Sequence, residues 1–172
     1  LTYHAYAARL LREHGVRLGL EPAARLLTDA ARYQLAERVV RRSPGPYLFL
    51  RGQVADVAGR VVALDAELNE HLVDPDAVRA ADAAVVAAIQ AVEQRKGRVT
   101  AEPGQARDAA QARSELVGLV GAYRAEKLRR EVVDFGDQMA GAARLAEQVP
   151  EVAESERTRY AAVLLDEFQD TS

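Results

Sequence analysis

The sequence predicts a mainly α protein, a helical bundle with a single strand at its C-terminal end. Three observations carry this. Apolar residues make up 49 % of the 172, enough for a core, yet aromatics are only 5 % and Trp is absent. Ala, Val and Leu must therefore fill the interior, which suits close-packed helices better than sheets. Apolar residues also recur every three or four positions over long stretches, the period of a helix with one buried face. One apolar run, YAAVLL from Tyr160 to Leu165, has no such stripe and reads as a buried strand.

The elements follow in order. A first helix is predicted from Tyr3, with Tyr6, Leu10 and Leu11 on one face and Gly15 as its stop. A second is predicted from Pro22 to Arg42, with Pro22 in its first turn and Leu26, Leu27, Ala30, Tyr33 and Val40 as apolar members. The SPGP stretch, Ser43 to Pro46, breaks the chain, and YLFL, Tyr47 to Leu50, is too short to assign. Val54, Val57, Val61, Leu64, Leu68 and Leu72 mark the clearest amphipathic helix. Asp74 is then a natural N-cap with Pro75 behind it. Val78, Ala81, Val85, Ile89 and Val92 carry the next helix to Lys96, where Gly97 ends it. GRVTAEPG, Gly97 to Gly104, reads as a loop and a candidate for disorder.

A long helix from Gln105 to Arg130 places Ala109, Leu116, Val120, Tyr123 and Lys127 on one stripe. Asp134 can cap a further helix from Phe135 to Val149, and a short segment, Glu151 to Arg159, leads into the strand. A lone buried strand is not stable by itself. Its neighbours are not in this sequence, so the chain is expected to be a piece of something larger.

Composition excludes several classes. The net charge is −3 and the pI about 5.7, so any nucleic-acid contact should be local rather than global. Without cysteine there are no disulfides, thiolate zinc sites or thiol nucleophiles. The three scattered histidines make a His-based metal site improbable, and His14 and His71 read as structural residues near helix ends. No apolar stretch approaches the ~20 residues of a membrane span, and LTYHAYAARLLREHG has no signal-peptide pattern. A cytoplasmic location and no membrane partner are expected. Nearly all basic residues are arginine, with lysine only at Lys96 and Lys127, as in the proteins of a GC-rich genome. Arg38, Arg41 and Arg42 form one cluster, and Arg124, Arg129 and Arg130 another. Each is either a solvated helix face or a patch that tracks phosphates.

The strand runs into Asp166 and Glu167. In open α/β sheets ligands bind beyond the carboxyl ends of the strands. One carboxylate there can hold Mg²⁺ against nucleotide phosphates, and a neighbour can deprotonate the attacking water. For an apolar run ending in Asp-Glu alone, a solvated acidic loop is the more ordinary reading.

The longer string narrows the choice. LLDEFQDTS closely resembles motif II, the Walker B motif, of the UvrD/Rep/PcrA group of superfamily 1 DNA helicases, an apolar strand followed by D-E-x-Q-D and a small polar residue. The preceding VVDFGDQMAGAARLAEQVPEVAESERTRYAA is similar to that family's approach to motif II. At the other end, LTYHAYAARLLREHG is similar to the family's T-x-H-x-F/Y motif and its helix. The resemblance implies that Asp166 supports Mg²⁺, Glu167 activates the hydrolytic water, Gln169 senses the γ-phosphate and Asp170 braces the loop. It also implies that Thr2, Tyr3 and His4 line the path of single-stranded DNA. Tyr3 or Tyr6 would stack on a base or pack, with packing the expected role of Tyr6.

The resemblance further implies a division of the chain. Residues 1–15 would be the edge of the RecA-like motor domain 1A, 16–133 a helical 1B-like subdomain, and 134–172 the return to 1A. The expected fold is thus a helical insertion with one terminal strand belonging to an incomplete RecA-like α/β domain. The implied partners are single-stranded and duplex DNA, ATP with Mg²⁺, and the remaining motor domains. The implied reaction is 3′→5′ helicase or translocase activity in DNA repair or recombination. No G-x-x-x-x-G-K-[ST] phosphate loop occurs in the sequence, so these residues by themselves are expected to be inactive, with neither ATP nor Mg²⁺ bound. Two alternatives stand beside this. The parent can be one subunit of a helicase–nuclease that resects double-strand breaks, with a second subunit as partner. The arginine- and alanine-rich composition favours that reading, and with it an actinobacterial source. Or the chain is a non-enzymatic helical module that binds DNA or protein.

Overall fold

The structure, a computed structural model, describes residues 2–97, 101–164 and 166. These form seven α-helices, one 3-10 turn and two short strands, a mainly α architecture as expected. Among the described residues no helix is long and apolar enough to cross a membrane.

Helix α1, Tyr3–His14, starts where the Thr2 side chain accepts a hydrogen bond from the Ala5 amide, satisfying one of the orphan donors of the first turn. The α-helix ends at Gly15 as predicted, though not through the left-handed conformation of a glycine stop. Gly15 keeps a right-handed conformation and opens a 3-10 turn, and the chain reverses at Gly19, whose φ of +69° favours glycine.

The predicted helix from Pro22 is corrected in its first half. Arg25–Leu26 form β1, paired in parallel with β2, Val132–Val133. The Arg25 amide donates to the Glu131 carbonyl at 2.9 Å and the Leu27 amide to the Val133 carbonyl at 2.8 Å. Helix α2 is Asp29–Arg42 and begins at Thr28, whose hydroxyl accepts from the Ala31 amide. Thr28 supplies a capping oxygen that Pro22 cannot, and the residues before it satisfy their backbone in the ladder instead.

Helix α3, Val54–Glu70, begins where the Gln53 amide donates to the Asp56 carboxylate at 3.3 Å. Between α2 and α3 the YLFL stretch forms neither helix nor strand. Its amides are held by one side chain from far along the chain. The Glu115 carboxylate accepts from Leu48 at 2.9 Å, Phe49 at 3.1 Å and Leu50 at 2.7 Å. Burial alone would raise the Glu115 carboxyl, but these three donors outweigh it and hold it below the ordinary range.

Helix α4, Pro75–Lys96, is capped by Asp74 and ended by Gly97 at φ +75°, as the sequence predicts. Its buried face differs from the predicted stripe. Ala81 and Val85 are exposed, whereas Val78, Asp82, Val86 and Ile89 turn inward. Helix α5, Ala101–Arg129, lies against α4, with Asp82 paired to Arg113 and Glu93 to Arg107, so the two run antiparallel. It begins four residues earlier than expected, with Pro103 in its first turn, where the missing N–H costs no helical bond. Half of the predicted loop, residues 101–104, is therefore helix, and residues 98–100 lie outside the described part. Ala110 rather than Ala109 is buried.

Helix α6, Phe135–Gln148, carries the predicted Asp134 cap, completed by Asp137. The segment after it is itself a helix, α7, Pro150–Arg159. The buried strand expected at YAAVLL does not form in its described part. Val163 is 69 % and Leu164 97 % exposed. A strand needs an edge to pair with, and among the described residues the one parallel pairing is β1 with β2.

Two hydrophobic clusters hold the helices. The larger joins α2, α3 and α5 around Ala36, Val61, Val120 and Tyr123, all fully buried. The smaller joins α1, α6 and α7 through Ala7, Leu10, Ala142, Leu145 and Val152.

Candidate functional site

Residues from opposite ends of the sequence meet beside α1. The Tyr3 hydroxyl donates to the Asp166 carbonyl at 3.3 Å. Thr2, Tyr3 and Tyr6 face Tyr160, Ala162, Val163 and Leu164 across an open groove of about 410 Å³. Thr2, Tyr3, His4 and Asp166 are exposed. His4 rests edge-on against Phe135, the first residue of α6, with ring centroids 4.8 Å apart and planes 74° from parallel.

Tyr6 is tied into packing. Its hydroxyl donates to Glu156 of α7 at 2.8 Å, and the Arg9 guanidinium lies 5.0 Å from its ring centre. Arg9 also pairs with Glu156 and Glu13. Its hydrogen bonds hold Glu156 below the ordinary carboxylate range, despite the opposing effect of burial. The α1–α7 contact beneath the groove is therefore locked by charge.

Of the residues expected at the nucleotide, Asp166 belongs to the described part. Glu167, Gln169 and Asp170 lie outside the described residues. Thus Thr2, Tyr3 and Asp166 come together, and His4 stands beside them against α6.

Sequence reasoning missed a second constellation behind this face. It placed Lys127 on an apolar stripe without asking what its ammonium meets. Lys127 Nζ is 2.7 Å from Asp65 of α3, 3.2 Å from Asp134 and 2.7 Å from Asp137. Arg124 pairs with Asp65 and donates to Asn69 at 3.0 Å, while Arg32 reaches Asp134 at 3.4 Å. Three carboxylates thus face three cations, and the charges close. Burial alone would lower the Lys127 pKa, but the three carboxylates override it and raise it above the ordinary value. Burial pushes Asp134 up, yet Lys127, the Asp137 amide and Arg32 together hold it below the ordinary range. Asp137 is raised, by burial first, with the neighbouring Asp134 charge adding to it. Tyr123, whose ring lies 4.7 Å from Lys127 Nζ, is pushed up to about 12 by burial.

Asp65, Asp134 and Asp137 offer oxygens within 4.8 Å of one another, close enough to hold a metal ion. Lys127 already puts a cation among them. The available signal was an acid, Asp65, on the apolar side of a helix, together with the pair Asp134 and Asp137 and one of only two lysines.

The arginine clusters divide. Arg124 belongs to the buried network, whereas Arg129 and Arg130 pair with Glu126 and hold its carboxyl down at about 2. Arg38, with Arg25 and Arg130, lines a separate groove of about 380 Å³ between α2 and β2. Arg38, Arg41 and Arg42 continue from it along α2.

Among the described residues the fold is therefore a mainly α module in which Thr2, Tyr3 and Tyr6 near one end meet Tyr160, Ala162, Val163, Leu164 and Asp166 near the other. The chain belongs to the UvrD/REP helicase N-terminal domain family, whose model matches residues 1–172. That is a family of superfamily 1 helicases, which use ATP and Mg²⁺ and act on DNA. Comparison with curated proteins found no match.

Proposed function

We propose that these residues are the 1B-like helical subdomain and flanking 1A edges of a 3′→5′ DNA translocase acting in repair or recombination. The observation that carries the reading is the hydrogen bond from Tyr3 to the Asp166 carbonyl, 3.3 Å long. It gives the nucleotide-facing segment a direct contact with the strand-facing one. The two hydrophobic clusters support the division into 1–15 with 134–172 and 16–133, because the smaller joins α1 to α6 and α7 and the larger joins α2, α3 and α5.

In this reading Thr2, Tyr3 and His4 line the single-stranded DNA path. Thr2 and Tyr3 line the groove and His4 is exposed next to them in the chain, which suits that role, and Tyr3 offers a ring face for a base. Asp166 is exposed, which suits a carboxylate that meets Mg²⁺ together with waters. Glu167 takes the proton of the attacking water, Gln169 reads the γ-phosphate, and Asp170 braces the loop. Bound ATP and Mg²⁺ supply the phosphoryl chemistry. The phosphate loop is not among these residues, so by themselves they do not turn ATP over.

The test is Glu167→Gln in the full-length protein. ATP binding is expected to persist, while DNA-stimulated hydrolysis falls by about 10²-fold or more, as when a general base is lost. Near-normal kcat would remove Glu167 from the base role.

The groove of Arg25, Arg38 and Arg130 supports a second contact, to DNA phosphates beside the motor.

A further inference from the structure

We infer that Lys127, with Asp65, is a positioning residue for His4, acting through the first turn of α6. The contact path is continuous. Lys127 Nζ binds both carboxylates that cap α6, Asp134 at 3.2 Å and Asp137 at 2.7 Å. Those carboxylates also close the turn on each other. Asp134 accepts from the Asp137 amide and Asp137 from the Asp134 amide, each at 2.9 Å. Asn69 of α3 donates to Asp137 at 2.9 Å, and Asp65 of α3 binds Lys127 at 2.7 Å. The turn is approached so closely that a Cβ on Gly136 would lie 3.2 Å from Asp134 and 3.7 Å from Asn69. The first turn of α6 is therefore fixed to α3 and α5.

Phe135 stands at the start of that turn, half exposed, and its ring meets the His4 imidazole at 4.8 Å. His4 itself is exposed, in the first turn of α1. The helical module thereby holds the exposed imidazole at one orientation, one residue along α1 from Tyr3 of the groove. Freeing Phe135 would release the rotamers of His4 and weaken its bond to a phosphate or base edge. This rests on the reading above that Thr2, Tyr3 and His4 line the DNA path.

The experiment measures binding of a fluorescein-labelled oligothymidylate to the full-length protein. The variants are His4→Ala, Phe135→Leu, Lys127→Gln, and each of the last two combined with His4→Ala. Phe135→Leu and Lys127→Gln are each expected to raise Kd about fivefold alone and less than about twofold on the His4→Ala background, the signature of one coupled unit. A merely structural role would not depend on His4. If Lys127→Gln fails to fold, Phe135→Leu carries the test, because its side chain is half exposed and its unfolding temperature is expected to be unchanged. Unchanged Kd in Phe135→Leu, or effects that multiply in full with His4→Ala, overturn the inference alone. Unchanged Kd in His4→Ala overturns the DNA-path reading as well.

Discussion

The Lys127 ammonium lies 2.7 Å from the Asp65 carboxylate, and both side chains are almost completely buried. Taking two charges out of water costs several kcal/mol each, which their attraction offsets only when every remaining donor and acceptor is met. Here Asp134 and Asp137 meet the Lys127 ammonium and Arg124 meets the Asp65 carboxylate. Lys127→Met would leave Asp137 without its cation and take one of two cations from each of Asp65 and Asp134. We expect it to lower the unfolding free energy by about 3–5 kcal/mol, the usual cost of removing one partner of a buried pair. Denaturant unfolding measures it, and a loss below ~1 kcal/mol would mean that water reaches the cluster.

Lys127→Met combined with Asp65→Asn should recover part of that loss, since it removes a buried charge together with its partner. Non-additivity of about 1–3 kcal/mol in a double-mutant cycle is the expected result for residues in one network. Simple additivity would show that the two side chains act independently.

The charge network also sets the pH response. Asp134 and Glu126 are held below their ordinary values of 3.8 and 4.5, so the folded state binds fewer of these protons than the unfolded chain. Their contribution is complete above those values and lost as the pH falls, for Glu126 toward about 2. Asp137 runs the other way, because its raised pKa makes the folded state keep its proton longer as the pH rises past 3.8. Lys127 is raised above 10.5, so its contribution is intact up to that pH and is lost at stronger alkali. Carboxyl carbon NMR should find Glu126 titrating near 2, and a midpoint near 4.5 would mean that its bridges to Arg129 and Arg130 do not persist in solution.

Glu115 holds the stretch before α3 by accepting from three consecutive residues, Leu48, Phe49 and Leu50. Glu115→Ala should cost about 1–3 kcal/mol, because it leaves those amides without their charged acceptor. Amide hydrogen exchange should accelerate at these positions more than in α3. Uniform acceleration throughout the chain would point to a global loss of stability instead.

The groove lined by Arg25 and Arg38 suits phosphates rather than bases. For the isolated chain, duplex DNA binding should be weak and fall steeply with salt. Arg25→Ala with Arg38→Ala should flatten the dependence of log K on log salt by about 0.9 for each phosphate that is no longer neutralised. Fluorescence anisotropy across a salt series reads this directly, and an unchanged slope would exclude both arginines from the interface.

The sequence by itself determined whatever depends on neighbours within a turn or two. The Asp74–Pro75 start and Gly97 stop of α4, and the Asp134 cap of α6, were legible because the capping groups lie within three residues of the amides or turns they serve. The three- and four-residue spacing exposed the helices, and the order of DEFQD after T-x-H pointed to the helicase family that the family match then showed. Long-range closure decided the rest. Residues 25–26 became a strand because Val132–Val133 arrive beside them from over a hundred residues away. The exposed Val163–Leu164 run has no such strand partner among the described residues, and it forms no ladder despite its apolar sequence. Lys127 stood on an apolar stripe with no account of its charge, which Asp65 and the α6 cap supply. Local periodicity reports which face of a helix is buried, but a buried charge is explained only by the distant side chains that neutralise it, and only the tertiary structure brings those together.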